Sequence, residues 1–215
     1  MRYRTEKKDA PCVNGRQQNG RSELRVAQIT TRLRESEREA LTRHFVALDG
    51  DDRRLRFGSS IGDEALGAYV ARIDFDRDGI FAVHDDNLRL VAVVHVAITE
   101  SSAELGLSVL PGFRGDGLGS ELFARAVMHL RNRGIREVFI HCVTENAAIM
   151  HLARKHGMRL VYDGSESDAY LELAPSTPQS IFAEWYQEQQ AQAIQAMRRN
   201  NLFGRALMGL FAAPR

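Results

Sequence analysis

A glycine-rich segment at residues 111–120, PGFRGDGLGS, carries the residue types and spacing best suited to chemistry. Glycines let the backbone turn sharply and leave its amides uncovered by side chains. A helix that begins in such a turn directs the positive end of its dipole at the same point. We therefore expect this segment to bind an anion, and a phosphate group is the anion that fits it best.

Spacing excludes two of the three phosphate-binding motifs that could apply. A P-loop ends in Gly-Lys-Ser/Thr, whereas Gly119 and Ser120 have no lysine between them. A dinucleotide fingerprint needs a third glycine where Ser120 stands, and an acidic residue where the next predicted strand ends in His141 and Cys142. The remaining motif is Arg/Gln-x-x-Gly-x-Gly/Ala. Arg114, Gly117 and Gly119 match it in full.

The elements that must position this loop follow from hydrophobic periodicity. The residue pattern predicts an order β-α-α-β-β-β-α-β-α-β-β over roughly 24–174. A meander followed by a strand-helix-strand crossover predicts an α+β fold with a mixed, mostly antiparallel sheet flanked by helices. The predicted strands cover 24–29, 79–84, 88–98, 103–110, 137–143 and a hairpin over 159–173 that turns at 163–168, and the predicted helices begin near 36, 62, 118 and 146.

Local signals mark the ends of several predicted helices. Ser36 with Glu39 three residues later is typical of a capping box at the first helix. We expect an aspartate cluster at 49–52 to end that helix, and Gly134 to end the helix that follows the loop. Beyond Pro175 and Pro178, residues 179–213 show two further helical patterns.

The chain therefore divides into three parts. Residues 1–22 are basic and almost free of apolar side chains, so we expect a flexible tail, and they lack the hydrophobic run of a secretory signal. Residues 23–175 form the predicted α+β domain. Residues 176–215 form a helical extension whose apolar stripe could pack on the domain, pair two copies or lie on a membrane surface.

The loop and its surroundings resemble the GCN5-related N-acetyltransferase (GNAT) family, and most closely the GNAT domains of bacterial protein-lysine acetyltransferases. In that family the Arg-x-x-Gly-x-Gly motif binds the pyrophosphate of acetyl-CoA. The next strand is followed by an Asn that opens a helix beside the pantetheine arm, and here Asn146 stands at that position. The resemblance covers about 24–174 and implies a GNAT fold. It implies acetyl-CoA as co-substrate, bound by Leu107, Val109, Arg114, Gly115, Asp116, Gly117, Leu118, Gly119, Ser120, Asn146 and Met150.

The same resemblance implies direct transfer of the acetyl group to a primary amine. A Glu in the strand before the loop serves as general base in the protein-acetylating group, and Glu104 stands there. Strand alternation places Glu104, Gly106 and Ser108 on one face. His95, on the preceding strand, is a further candidate as a second base or a holder of water. Many family members carry a tyrosine as general acid where this chain has Ala153, so Ser108, Tyr162, Tyr170 or water would have to replace it.

The resemblance implies that the acceptor is a protein lysine or a small amine. It also implies an approach through residues 49–60, 62–73 and 163–168, where acidic side chains could attract a cation. The absent tyrosine also leaves open a non-catalytic acyl-CoA-binding module. Cys142 has no paired His/Asn pattern, so we do not expect a thiol nucleophile. No further ligands lie at workable spacing from His141 and Cys142, so we do not expect a metal site.

Composition narrows the remaining classes. A formal net charge of +1 argues against an electrostatic nucleic-acid binder, and 44% apolar residues are enough for a core. The two cysteines cannot form a disulfide framework, which favours a reduced, cytoplasmic protein. The longest apolar stretch, 88–98, is too short for a membrane span. The extension leaves a homodimer through its helices as one arrangement.

Overall fold

The computed structural model describes residues 29–211, with side chains through residue 203. The predicted tail 1–22 and nearly all of the predicted strand 24–29 lie outside the described residues. The described strands are β1 (Thr30–Arg32), β2 (Gly79–His84), β3 (Leu90–Ile98), β4 (Ser102–Val109), β5 (Glu137–Val143), β6 (Arg159–Asp163) and β7 (Glu166–Glu172). The described helices are α1 (Arg38–Val46), α2 (Gly50–Phe57), α3 (Asp63–Ala71), α4 (Leu118–Asn132), α5 (Ala147–Lys155) and α6 (Pro178–Phe211).

The strands form one sheet of seven in the order β1-β2-β3-β4-β5-β7-β6. Every neighbouring pair is antiparallel except β4 and β5, which run parallel because α4 makes the crossover between them. The predicted mixed, mostly antiparallel sheet is thus confirmed. The parallel pairing joins only Ser102–Glu104 to Glu137–Phe139, although both strands continue beyond it.

Helices cover both faces of the sheet, because the inner strands are buried on both sides. On one face α4 and α5 pack on a cluster that includes Phe81, Val94 and Leu105. On the other, α1 and α3 pack on a second cluster that includes Phe45, Leu66 and Ile80. Successive residues of β2 from Ile80 to Val83 alternate between the two clusters, as the period of a strand requires.

The helical region before β2 differs from the sequence-based expectation. Two helices were expected there and three are present, because the aspartates at 49–52 begin a helix and do not end one. The Asp49 side chain caps α2 by accepting a hydrogen bond from the Asp52 amide at 2.8 Å. The predicted capping box at Ser36 is also wrong. The reciprocal contact lies two residues earlier, where the Arg34 amide donates to the Glu37 carboxylate.

The C-terminal extension is one continuous helix, not the two predicted ones, because the polar residues between the two apolar patterns do not interrupt the helix. It is fixed to α4 by buried charges. Glu184 accepts from Arg125, His129 and Asn132 at 2.9, 2.7 and 2.7 Å. Burial alone would raise the pKa of Glu184, but these three donors lower it to about 2. No helix among residues 29–211 is long and apolar enough to cross a membrane.

Candidate functional site

A first cleft opens where β4 and β5 separate. Their parallel pairing stops at Glu104 and Phe139, and the gap beyond it leads into a cavity of about 500 Å³. The glycine-rich loop, the start of α4, one side of α5 and the inner side of α2 line this cavity. We call it the first cleft; its lining includes Leu48, Asp52, Leu55, Arg56, Leu107, Ser108, Val109, Phe113, Arg114, Gly115, Gly117, Leu118, Gly119, Ser120, Asn146, Ile149, His151, Leu152 and Lys155.

The loop presents backbone amides to this cleft. Gly115 and Gly117 both have φ of +85°, a conformation that L side chains rarely adopt, and α4 begins immediately after Gly117. Amides in the first turn of a helix have no partner within the helix, so those of Leu118 and Gly119 are available to an anion. The loop therefore has the anion-binding geometry that its sequence predicts.

Helix α2 lies across the same cleft and is fastened at both sides. Asp52 Oδ1 lies 2.5 Å from Arg114 Nη2, and Arg54 makes an ion pair with Glu145. Asn146 caps α5 through the Ile149 amide, and its Nδ2 donates to the Leu55 carbonyl at 3.2 Å. The loop arginine expected to hold a phosphate thus also holds α2 in place.

A buried serine–histidine pair forms the back of the first cleft. His44 Nδ1 lies 3.0 Å from the Leu90 carbonyl, and Nε2 lies 2.8 Å from Ser108 Oγ. Burial lowers the pKa of His44 to about 4, so the ring is neutral near pH 7. Because a carbonyl can only accept, Nδ1 carries the proton. Nε2 therefore accepts from the Ser108 hydroxyl.

A second cleft of about 430 Å³ lies on the other side of Leu55 and Arg56, which line both. Its floor is formed by β3, β4 and β5, and its walls by α2, α3 and the start of β7. Charges of both signs face it: Arg56, Arg72, Glu104, Glu166 and His141. No cation among the described side chains lies within ion-pair distance of Glu104, so this exposed carboxylate is available to a ligand.

His141 forms an acid–histidine pair with Asp168 at the edge of this cleft. Its Nδ1 lies 2.7 Å from Asp168 Oδ1, and Tyr170 donates to the other carboxylate oxygen at 3.3 Å. The hydrogen bond to Asp168 raises the pKa of His141 above its usual value. Its Nε2 lies 3.8 Å from Glu166. The predicted role of Tyr170 as a proton donor to the leaving group has no support from this contact, since its hydroxyl is directed at Asp168.

A buried chain of hydrogen bonds connects the sheet to Arg56. Asp78 Oδ2 lies 3.3 Å from His95 Nε2, His95 Nδ1 lies 2.7 Å from the Tyr69 hydroxyl, and Arg56 Nη2 donates to that hydroxyl at 3.3 Å. Burial and the charge of Arg56 lower the pKa of His95. A neutral His95 with its proton on Nε2 satisfies every contact.

Most of the residues predicted from sequence line one of the two clefts. Ser108, the loop residues and Asn146 line the first cleft, and Glu104 and His95 line the second, although both ring nitrogens of His95 are engaged. Met150 packs in the core, because α5 turns the neighbouring Ile149 toward the cleft. Asp116 and Tyr162 line neither cleft. The sequence analysis placed residues 49–60 on the acceptor side, but it missed that they form a helix, α2, that lines both clefts.

Cys142 has the environment of a structural thiol. It is buried, and its Sγ lies 3.5 Å from the Ser167 carbonyl. Burial raises the pKa of its thiol, which disfavours the nucleophilic thiolate. Among residues 29–211, no group of three or more His, Cys, Asp or Glu side chains is arranged to hold a metal ion.

Comparison with known proteins adds a family match to this geometry. The family model described as "Acetyltransferase (GNAT) family" matches residues 31–158, which is more than half of the chain. No curated protein matches the sequence.

Several solved structures share the fold at low sequence identity. The GNAT domain of S. lividans PAT superimposes with a TM-score of 0.58 at 15% identity, covering 67% of this chain and 89% of that one. Spermidine N-acetyltransferase from Vibrio cholerae, in complex with CoA and spermine, superimposes with a TM-score of 0.54 at 18% sequence identity. The match covers 66% of this chain and 94% of that one. The ribosomal-protein-S18-alanine N-acetyltransferase from Escherichia coli superimposes with a TM-score of 0.53 at 17% sequence identity, and the match covers 69% of this chain and 96% of that one.

The first cleft fits acetyl-CoA by the chemistry of its lining. Free amides, Arg114 and the dipole of α4 suit a pyrophosphate, and the apolar side chains of Leu107, Val109 and Ile149 suit an uncharged arm. Its volume lies in the usual range for pockets that bind small molecules. The separated edges of β4 and β5 supply unpaired backbone groups for amides of that arm.

Proposed function

The chain belongs to the GNAT acetyltransferase family, and from this premise we propose that it transfers an acetyl group directly from acetyl-CoA to a primary amine while both substrates are bound. The observation that carries the proposal is the meeting of the two clefts at β4. The loop and its amides lie beyond the end of this strand, in the first cleft, and Glu104 lies nearer the start of the strand, in the second cleft. Acetyl-CoA, when bound, supplies an activated acetyl thioester.

Glu104 is proposed as the general base. An amine is protonated near neutral pH and must lose a proton before its nitrogen can form a bond to the acetyl carbon. The Glu104 carboxylate faces the second cleft, and no cation among the described residues lies within ion-pair distance of it. We expect it to accept the amine proton directly or through one water molecule.

Ser108 is proposed to act further along the same face of β4, in the first cleft. The C–S bond breaks as the new amide bond forms, and the sulfur then takes up a proton. Ser108 is a hydroxyl in the lining of the first cleft, and His44 holds its oxygen in place. The tyrosine that many family members use is absent, because Ala153 stands at that position, and Ala153 is fully buried in the core. Because the Ser108 hydroxyl donates its own hydrogen to His44 Nε2, a water molecule held by the Ser108 oxygen is the proposed proton donor.

The direct test is a screen for turnover. Purified protein is incubated with acetyl-CoA and a panel of polyamines, amino acids and lysine peptides, with release of the CoA thiol and the mass of the acetylated product both measured. We expect thiol release that depends on the acceptor and a product heavier by one acetyl group. CoA binding without turnover on any acceptor would instead support a non-catalytic acyl-CoA-binding module.

We propose a transferase domain at 23–175, a cytoplasmic location and pairing of two copies through α6. Exposed aromatic side chains on one side of α6 support the pairing: Phe182, Trp185 and Tyr186. The double variant F182S/W185S should halve the mass measured by light scattering. A monomeric wild-type protein would exclude the pairing.

A further inference from the structure

We propose that the acceptor is an amine that also carries a carboxylate, such as a free α-amino acid, and that Arg56 binds this carboxylate. The inference rests on the proposed function, because it concerns the acceptor of that reaction. The Arg56 guanidinium lies where the two clefts meet, and the proposed acetyl transfer assigns it no role. An acetyl group is uncharged and needs no cation.

Arg56 is placed directly over the middle of β4. A Cβ atom added to Gly106 would lie only 1.9 Å from Arg56 Nη2, so the guanidinium rests against the bare backbone of this residue. The absence of a side chain at 106 is therefore what allows the arginine to reach the junction. Arg56 lines both clefts from this position, on the same face of the strand as Glu104.

The charge of Arg56 has no counter-ion among the side chains that the structure describes. No carboxylate among the described residues lies within 4.0 Å of its guanidinium nitrogens, and its buried Nε has no hydrogen-bond partner. Its flat faces are covered by aromatic rings, with Phe57 at 4.7 Å and Phe45 at 5.9 Å. A partly desolvated arginine without a counter-ion costs free energy unless an anion binds to it. Carboxylates are the anions that match its fork of donors.

The arginine is also held in a fixed position. Its Nη2 donates to the Tyr69 hydroxyl, which donates to His95, which in turn donates to Asp78. Burial alone would raise the pKa of Asp78, but hydrogen bonds from Arg77 and His95 lower it, so the chain ends on a charged carboxylate. This chain assigns Tyr69 and His95 as positioning residues. A preorganised donor of this kind lowers the entropic cost of binding.

The spacing to Glu104 selects the class of acceptor. Glu104 lies two residues from Gly106 along β4, which is about 6.6 Å in a strand. A ligand with its amine toward Glu104 and its anionic group toward Arg56 needs the two groups a few ångströms apart, as they are in an α-amino acid. A polyamine would instead place a second cation near Arg56 and Arg72, where like charges repel.

The test compares acceptors that differ only in the carboxylate. Initial rates of thiol release are measured for a panel of L-amino acids, their carboxamides and the corresponding decarboxylated amines, with wild type and the variants Arg56→Gln and Arg56→Lys. We expect wild type to prefer the acid over its amide by about 10–100-fold in kcat/KM. Arg56→Gln should remove most of this preference by raising KM for the acid, and Arg56→Lys should retain part of it.

Further variants separate binding from folding. Gly106→Ala keeps the charge but pushes the guanidinium aside, so it should raise KM for acids and leave amides within about threefold. Tyr69→Phe should do the same to a smaller extent, as expected for a positioning residue. Arg43→Gln, which removes an exposed cation of α1, is the matched control and should change nothing.

The outcomes distinguish this inference from the proposed function. Equal kcat/KM for acids and amides in wild type would overturn the inference while leaving acetyl transfer intact. An equal loss of kcat for acids and amides in Arg56→Gln would also overturn it, since Arg56 would then act on the thioester. If no amine is acetylated, thermal stabilisation by amino acids that is lost in Arg56→Gln would support the carboxylate site and reject the transferase. Absence of both effects would reject both.

Discussion

The two clefts that meet at β4 differ in the chemical groups that line them. The first consists mainly of backbone amides and apolar side chains supplied by one continuous stretch, β4, the loop and α4, with α5 completing it. The second consists of charged and aromatic side chains from α2, α3, β3, β4, β5 and β7. Chemistry that is common to a family can be encoded in one stretch of backbone. Chemistry that selects an acceptor depends on side chains that only the fold brings together.

The histidines of the two clefts differ in the same way. His44, behind the first cleft, is buried, and its pKa is lowered to about 4. His141, in the second, is half exposed, and its pKa is raised by Asp168. The first cleft should therefore keep its protonation state over a wide pH range near neutrality. The second should respond to pH through groups that titrate within reach of the acceptor.

The largest effect should come from the proposed base. Glu104→Gln removes the proton acceptor but keeps the size and polarity of the side chain, so kcat should fall by about 10²–10⁴-fold. The affinity for CoA, measured by calorimetry, should stay within about twofold, because Glu104 does not line the first cleft. Glu100→Gln in the turn before β4 is the control. Full activity in Glu104→Gln would transfer the role of base to another group, and His141 would be the first to test.

The next largest effect concerns pH and stability. The lowered pKa of His44 means that the unfolded chain binds its proton first as pH falls. The free energy of unfolding should therefore decrease by about 3 kcal/mol between pH 6.5 and pH 4 on account of this group. Urea unfolding of wild type and His44→Gln across this range measures the difference. Parallel pH dependences for the two proteins would show that His44 is not held neutral by the fold.

A smaller effect should come from the loop backbone. Gly117 has φ of +85°, so alanine there is strained by about 1–2 kcal/mol and should shift the amides at the start of α4. We expect Gly117→Ala to weaken CoA binding about tenfold. Gly112→Ala is the matched control, because a Cβ there meets nothing within 4 Å and its φ is ordinary. Similar CoA affinities for the two variants would contradict an amide-based site.

The smallest effect should come from Ser108. Removing its hydroxyl in Ser108→Ala eliminates one neutral hydrogen bond to His44, so kcat should fall only about fivefold. A water molecule in the first cleft can still donate the proton when the serine oxygen no longer holds it. Rates of thiol release at saturating acceptor measure the change. A loss as large as that of Glu104→Gln would make Ser108 essential and would argue for an acyl-serine step.

Much of the fold and of the first cleft could be predicted because the signals are local. The bounds of β2 and β5 match the predicted strands 79–84 and 137–143, since each is a short apolar run between turn residues. Arg114, Gly117 and Gly119 identified the loop by spacing alone. These features depend on neighbours in the chain and need no knowledge of the tertiary contacts.

The second cleft could not be predicted in the same way. Arg56 and Asp168 lie in polar stretches that look like ordinary solvated surface, and their partners Tyr69 and His141 are distant in sequence. The helix α2 was missed because its aspartates are typical of a helix end as well as a helix start, and only the capping contact of Asp49 decides between them. Met150 was misplaced because the exact rotation of α5 depends on its packing.

The central claim is that both clefts are occupied together and that the acetyl group passes directly between them. The most direct measurement is a set of initial rates in which acetyl-CoA and a turned-over acceptor are varied against each other. The account predicts intersecting lines in the double-reciprocal plot, and no acetyl label on the protein after incubation with labelled acetyl-CoA alone. Parallel lines together with a stable acetylated protein would contradict it.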